Sequence, residues 1–210
     1  MIDFSFKNTY LLLGKGFYSL CKPTPVTQPR LIHFNTELAA ALGVVADDYN
    51  HEQDETLLAG IFSGNQVHHS SEPLAMAYAG HQFGHFSPQL GDGRALLLGE
   101  VIDRQGQRRD IAFKGSGRAP YSRGGDGKAA VGPMLREVLI GEALHALGIP
   151  STRALCITSS PLKVLREELE TAAIVTRTAP SFIRFGHFEH FANQVGSEGI
   201  ENLKNLADFT

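Results

Sequence analysis

The sequence predicts an α+β fold, a small antiparallel sheet with helices laid against it. Residues 94–114 read as strand, polar turn and strand: 94–101 is short and apolar, 103–109 is polar, and 110–114 is apolar again with a terminal lysine. A helix then opens at Pro133, whose fixed φ suits a first turn, and ends at Gly148 and Pro150. Two further strand-like runs, 154–159 and 172–178, follow it.

Taken in order, Pro23, Pro25 and Pro29 make an extended early segment, and Asn35 is the expected N-cap of a short helix through Leu42 that Gly43 ends. Residues 44–73 are polar and irregular, with Asp47, Asp48, Glu52, Asp54 and Glu55 as a solvated acidic face. Residues 115–132 hold six glycines and predict a long flexible loop. The apolar face of the following helix is expected from Met134, Leu135, Val138, Leu139 and Leu144, and residues 198–209 begin a last helix. The expected organisation is an N-terminal arm or subdomain (1–70), a main lobe (71–150) and the incomplete start of a second lobe (151–210).

With 42% hydrophobic residues and 13 phenylalanines among 210, the chain can bury a substantial core. A formal charge of −3 gives no broad basic field, which argues against nucleic acid as a partner. Cys21 and Cys156 lie far apart with no CxxC spacing and read as reduced thiols. No apolar run follows a basic start, and none approaches membrane-spanning length, so no membrane partner and a cytoplasmic location are expected.

The chemistry concentrates in residues 91–137. In the strand Ile-Ala-Phe-Lys, alternation puts Lys114 on the side of Ala112, away from Ile111 and Phe113. Polyphosphate chemistry needs fixed positive charge, and Glu137 on the next helix is placed to hold such a lysine. The strand ending in lysine under a Gly91-Asp92-Gly93-Arg94 turn is similar to the x-A-x-K strand and helix glutamate of protein kinases. A full G-x-G-x-x-G is lacking, because Leu96 stands where the third glycine belongs, and Ser122 and Ala129 rule out a Walker A loop. Arg94, Arg177 and Arg184 are either forked phosphate donors or structural ion pairs. The pairs His81/His85 and His187/His190 lack a third ligand at metal-binding spacing and read as packing or loop residues.

The strings at 73–86, 89–95, 114–129 (Lys-Gly-Ser-Gly-Arg-Ala-Pro-Tyr-Ser-Arg-Gly-Gly-Asp-Gly-Lys-Ala) and 176–186 (Thr-Arg-Thr-Ala-Pro-Ser-Phe-Ile-Arg-Phe-Gly) closely resemble the selenoprotein O family, whose bacterial members are called YdiU. The resemblance implies a protein-kinase-like (pseudokinase) fold in which 71–150 forms the N-lobe. It also implies a protein adenylyltransferase that moves AMP from ATP, with UMP from UTP in bacterial members, to Ser, Thr or Tyr hydroxyls. The nucleotide is bound flipped relative to ordinary kinases, which exposes its α-phosphate. The family's nucleotide contacts fall on Gly91, Gly93, Arg94, Lys114, Asp126, Gly127, Arg177 and Arg184, and Glu137 matches its lysine-orienting carboxylate. The base Asp and the ligands for Mg2+ or Mn2+ are expected beyond residue 210, so no catalytic or metal-binding residue is expected within this chain. Family members are over twice this length, which implies a truncated, N-terminal portion. The implied partners are hydroxyl-bearing protein substrates. The alternative is a noncatalytic fragment, or half of a split gene, that binds nucleotide weakly or needs a complementing C-terminal chain.

Overall fold

A computed structural model describes residues 2–46, 49–194 and 196–210. Asp47 and Asp48 of the expected acidic face lie outside the described residues.

The strands are β1 (Tyr18–Leu20), β2 (Arg30–Phe34), β3 (Leu74–Met76), β4 (Gly80–Gln82), β5 (His85–Ser87), β6 (Ala95–Ile102), β7 (Arg108–Lys114), β8 (Ala129–Ala130), β9 (Arg153–Leu165) and β10 (Leu169–Ala179). The helices are α1 (Thr36–Ala41), α2 (Glu55–Phe62), α3 (Val131–Ala146), α4 (Phe185–Ala192) and α5 (Ser197–Phe209). Among the described residues, one antiparallel sheet runs β1-β3-β6-β7-β10-β9-β2 with β8 paired to β10, and β4 and β5 form a separate hairpin.

This topology corrects the boundary expected at residue 150. Far from opening a second lobe, β10 lies between β7 and β9, with Arg177 opposite Ala112 and Val175 opposite Lys114. The first 70 residues enter the same sheet through β1 and β2. The local period of two that marks a strand carries no information about its partner, so these non-local pairings leave no trace in the sequence.

The central strands are buried on both faces. From β7, Ile111 and Phe113 enter a core with Phe4, Phe34, Leu58, Phe62, Leu155 and Ile174, roofed by α1 and α2. Ala112 points to the other face, where Tyr10, Phe17, Met76, Phe182, Phe191 and Leu206 pack under α4 and α5. On that same side α3 sets Met134 and Val138 against Ile157 and Val175. Burying ten such aliphatic and aromatic side chains contributes on the order of 20 kcal/mol before entropy is counted.

Asn35 caps α1 as expected, its side chain accepting from the Leu38 N–H, and Gly43 follows with φ of 74°. Residues 44–73 are not wholly irregular, because Leu58, Ala59 and Phe62 give α2 a buried stripe within polar surroundings. The apolar face of α3 is narrower than expected. Met134, Val138 and Gly141 follow the i, i+4, i+7 stripe, while Leu135 and Leu139 fall about 100° round the helix and Leu139 is 68% exposed. Among the described residues, no helix is long and apolar enough to cross a membrane.

Candidate functional site

On the face of the sheet that carries Ala112 and Lys114, a cavity of 580 Å3 opens between the turn at 91–94, the loop 115–128 and the start of α4. All eight residues expected to touch nucleotide line it: Gly91, Gly93, Arg94, Lys114, Asp126, Gly127, Arg177 and Arg184. Its walls carry seven cationic side chains and two carboxylates, although the whole chain is net negative. Such a wall favours a polyanion.

Strand β7 ends with Lys114 on the cavity side, and its Nζ donates to Glu137 Oε2 on α3. Arg177, on the same face of neighbouring β10, lies 2.9 Å from the other oxygen of Glu137. One carboxylate therefore holds two cations. The Arg177 guanidinium also lies 5.1 Å from the centre of the Phe182 ring. Burial pulls the Lys114 ammonium below its usual range against the support of Glu137, and it pulls Arg177 down likewise. Glu137 pairs with Lys114 from behind the cavity wall.

The glycines at 91 and 93 are set by close packing. Gly91 has φ of 60°, and a Cβ there would overlap the Tyr121 ring, while one at Gly93 would come 3.0 Å from the Tyr121 carbonyl oxygen. The turn and the loop are thus pressed back to back, with Ser122 Oγ donating to the Gly93 carbonyl. The long glycine-rich segment is a folded loop, contrary to the expected flexible one: Gly117 N–H donates to the Gly127 carbonyl at 3.0 Å, and Ser116 bridges Lys128. Asp126 accepts two hydrogen bonds from Arg166, at 2.9 and 3.0 Å, which hold its carboxyl below the usual range.

Around Arg184 the cavity wall is built by residues the sequence did not single out for this place. Asp92 is 2% exposed, accepts from the Met76 N–H at 3.1 Å, and lies 3.5 Å from Arg184 Nη1. Burial pushes its carboxyl up, opposed first by Arg184. Arg184 also lies 4.6 Å from the centre of the Tyr78 ring. His187, in the first turn of α4, accepts the Arg184 N–H at Nδ1 and is held neutral by burial, its pKa pulled down to about 3. Asp92, Tyr78 and His187 therefore fix where Arg184 sits. Asp92 and Tyr78 meet Arg184 from distant segments, so nothing in their own sequence neighbourhood marks them.

Asp110, at the buried end of β7, accepts the Phe182 N–H at 2.9 Å and so anchors the segment between Arg177 and Arg184. Burial pushes its carboxyl from 3.8 up to about 6. Because the folded chain holds this proton more tightly than the unfolded chain, the contribution is fully present below about pH 4 and is lost as pH rises through about 6. Asp110→Asn, which keeps an acceptor for Phe182, should therefore gain stability over the parent across that window, by at most about 3 kcal/mol at neutral pH. Urea unfolding of both proteins from pH 4 to 7 measures it, and a pH-independent difference would refute the assignment.

The cavity's own carboxylates do not fit a divalent cation: Asp126 is taken by Arg166 and Asp92 faces Arg184. Among the described residues, no three His, Cys, Asp or Glu gather as metal ligands would.

The family model described as "Protein adenylyltransferase SelO" matches residues 1–209. The chain belongs to that family. Protein nucleotidyltransferase YdiU of Rhizobium meliloti (strain 1021) is 55% identical over 188 residues, covering 90% of this chain and 37% of the relative. The same-named proteins of Rhizobium rhizogenes and Alkalilimnicola ehrlichii are 56% and 51% identical over 183 residues, each covering 87% of this chain and 36% of the relative. The chain thus spans a little over a third of the length of the curated SelO-family relatives it matches. The family is named as a protein adenylyltransferase and these relatives as protein nucleotidyltransferases.

Proposed function

We propose that the cavity is the nucleotide cradle of a protein nucleotidyltransferase and that the sheet with α3 is its kinase-like N-lobe. The observation that carries this is the convergence of Lys114, Arg177, Arg184 and Arg94, from four separate segments, on one cation-rich cavity. A cavity of 580 Å3 suits a nucleoside triphosphate.

In the transfer, a Ser, Thr or Tyr hydroxyl of a protein substrate attacks the α-phosphorus of ATP, or of UTP for UMP transfer. The α–β bridging bond breaks and pyrophosphate leaves, while the hydroxyl proton passes to a base outside this chain. The cradle's part is electrostatic: charge grows on the departing pyrophosphate, and cations already fixed by Glu137, Asp92 and Tyr78 stabilise it without reorganising. A bound Mg2+ or Mn2+ would add charge neutralisation of the same kind, with ligands supplied outside this chain. The chain spans 37% and 36% of the Rhizobium meliloti and Rhizobium rhizogenes relatives, so the transfer is proposed of the whole protein and the nucleotide cradle of these residues.

Calorimetric titration of the chain with ATP and Mg2+ tests the cradle. Saturable binding that disappears in Lys114→Ala is the expected result. A folded parent protein that gives no binding heat would overturn it.

A further inference from the structure

The β4–β5 hairpin stands at the mouth of the cavity. Its register pairs Gly80 with Ser87, His81 with Phe86 and Gln82 with His85, which leaves Phe83 and Gly84 as a two-residue turn. Both carry positive φ, 53° and 78°, the sign pattern of a type I′ turn. Such turns favour Asn, Asp or Gly at the first central position, and a bulky side chain in left-handed backbone is a strained choice. The Phe83 ring is also 96% exposed, so neither backbone preference nor burial accounts for a phenylalanine there. Strain at such a position points to a role in recognition.

Phe86, 41% exposed on the same hairpin, packs against His81 with ring centres 5.1 Å apart and planes tilted by 53°. Phe83, His85 and Phe86 wall an open depression of 470 Å3 that shares Gln82, Ser122, Arg123 and Gly125 with the cation-lined cavity. The two spaces therefore adjoin across these four residues. Arg123 donates to the Gln82 side chain, tying the hairpin to the loop 115–128.

We propose that this aromatic shelf holds the base of the nucleotide whose phosphates lie among Lys114, Arg177 and Arg184, an inference that rests on the cradle reading. A nucleoside triphosphate has a polyanionic end and a planar end with an apolar face, and the adjoining depressions present cations and exposed aromatic rings in matching sequence. Stacking on phenylalanine uses the π-face that every base possesses, so the shelf takes purine and pyrimidine alike. ATP and UTP are then both ligands, and the purine is the tighter because its ring system is larger.

The test compares ATP, UTP and inorganic tripolyphosphate, each titrated into the parent chain and into Phe83→Asn and Phe83→Asn/Phe86→Ala. Asparagine suits the turn better than phenylalanine, so the thermal midpoint of Phe83→Asn should hold or rise. ATP and UTP affinities should fall about tenfold in the double variant, while tripolyphosphate affinity stays unchanged. If ATP affinity is unchanged in the double variant, the shelf does not hold the base and is left to a polypeptide acceptor. An equal loss for tripolyphosphate also overturns the proposal, because the damage then lies in the phosphate cradle. If the parent chain binds none of the three, the cradle reading fails and takes this inference with it.

Discussion

Glu137→Ala should lose nucleotide affinity and folding stability together, because one carboxylate holds two cations. In the parent, Lys114 Nζ and Arg177 Nη1 meet opposite oxygens of Glu137, and all three side chains are largely buried. Removing the acid leaves two half-desolvated cations facing each other with Arg94 and Arg184 close by. A fully buried pair broken this way costs about 3–5 kcal/mol, and the partial exposure here lowers that to about 2–3 kcal/mol. For a chain of this size the melting point should drop by about 4–12 °C. Without the carboxylate, burial and the neighbouring arginines pull Lys114 further below its usual range, so phosphate binding should weaken at a lower pH than in the parent. Glu137→Gln keeps an acceptor for Lys114 but no charge and should fall between the two. Thermal melts and ATP titrations from pH 6 to 9 measure both effects. A variant with parental melting point and affinity would show that β7 and β10 hold the cations without Glu137.

The site was more legible in the sequence than the fold around it. Lys114 and Glu137 were readable because each lies in a strong local pattern, a β-strand ending in lysine and a helix opened by proline. The converging arginines and Asp126-Gly127 came from the family strings. What stayed hidden depends on contacts between distant segments. Arg166 reaches Asp126 across 40 residues of sequence, and Asp92 takes its partners from β3 and from the residue preceding α4. The boundary drawn at residue 150 failed for the same reason, since β10 completes the sheet beside β7 and supplies Arg177. Helix α2 was hidden differently: its buried stripe of Leu58, Ala59 and Phe62 is short and is masked by the polar composition around it. Composition also misled in the glycine-rich loop, where Gly115 and Gly127 stand at points where the backbone approaches itself too closely for a side chain.

Gly127→Ala should accordingly be the most damaging single-methyl change in the cradle. Gly127 has φ of 67°, and a Cβ there would run into the carbonyl of Gly117 and the N–H of Arg118, which are backbone atoms that no rotamer change can move aside. Gly117 cannot retreat, because its own Cα is packed against the Thr24 side chain and its N–H is bonded to the Gly127 carbonyl. Relief therefore requires the two strands of the loop to part, which displaces Asp126 from Arg166 and Lys128 from Ser116. A backbone clash of this kind added to left-handed strain should cost about 2–4 kcal/mol, with nucleotide binding lost as the loop opens. Two neighbouring glycines separate the causes. At Gly124, φ is 84° with open space around the would-be Cβ, so alanine should cost only the strain, about 1 kcal/mol. At Gly132, in the first turn of α3 with nothing nearby, alanine should stabilise by about 0.5–1 kcal/mol. Urea unfolding should therefore rank the stabilities Gly132→Ala above the parent, then Gly124→Ala, then Gly127→Ala, with ATP binding lost in the last alone. If Gly127→Ala unfolds no earlier than Gly124→Ala, the loop is open in solution and the close approach of residues 117 and 127 does not shape the cradle.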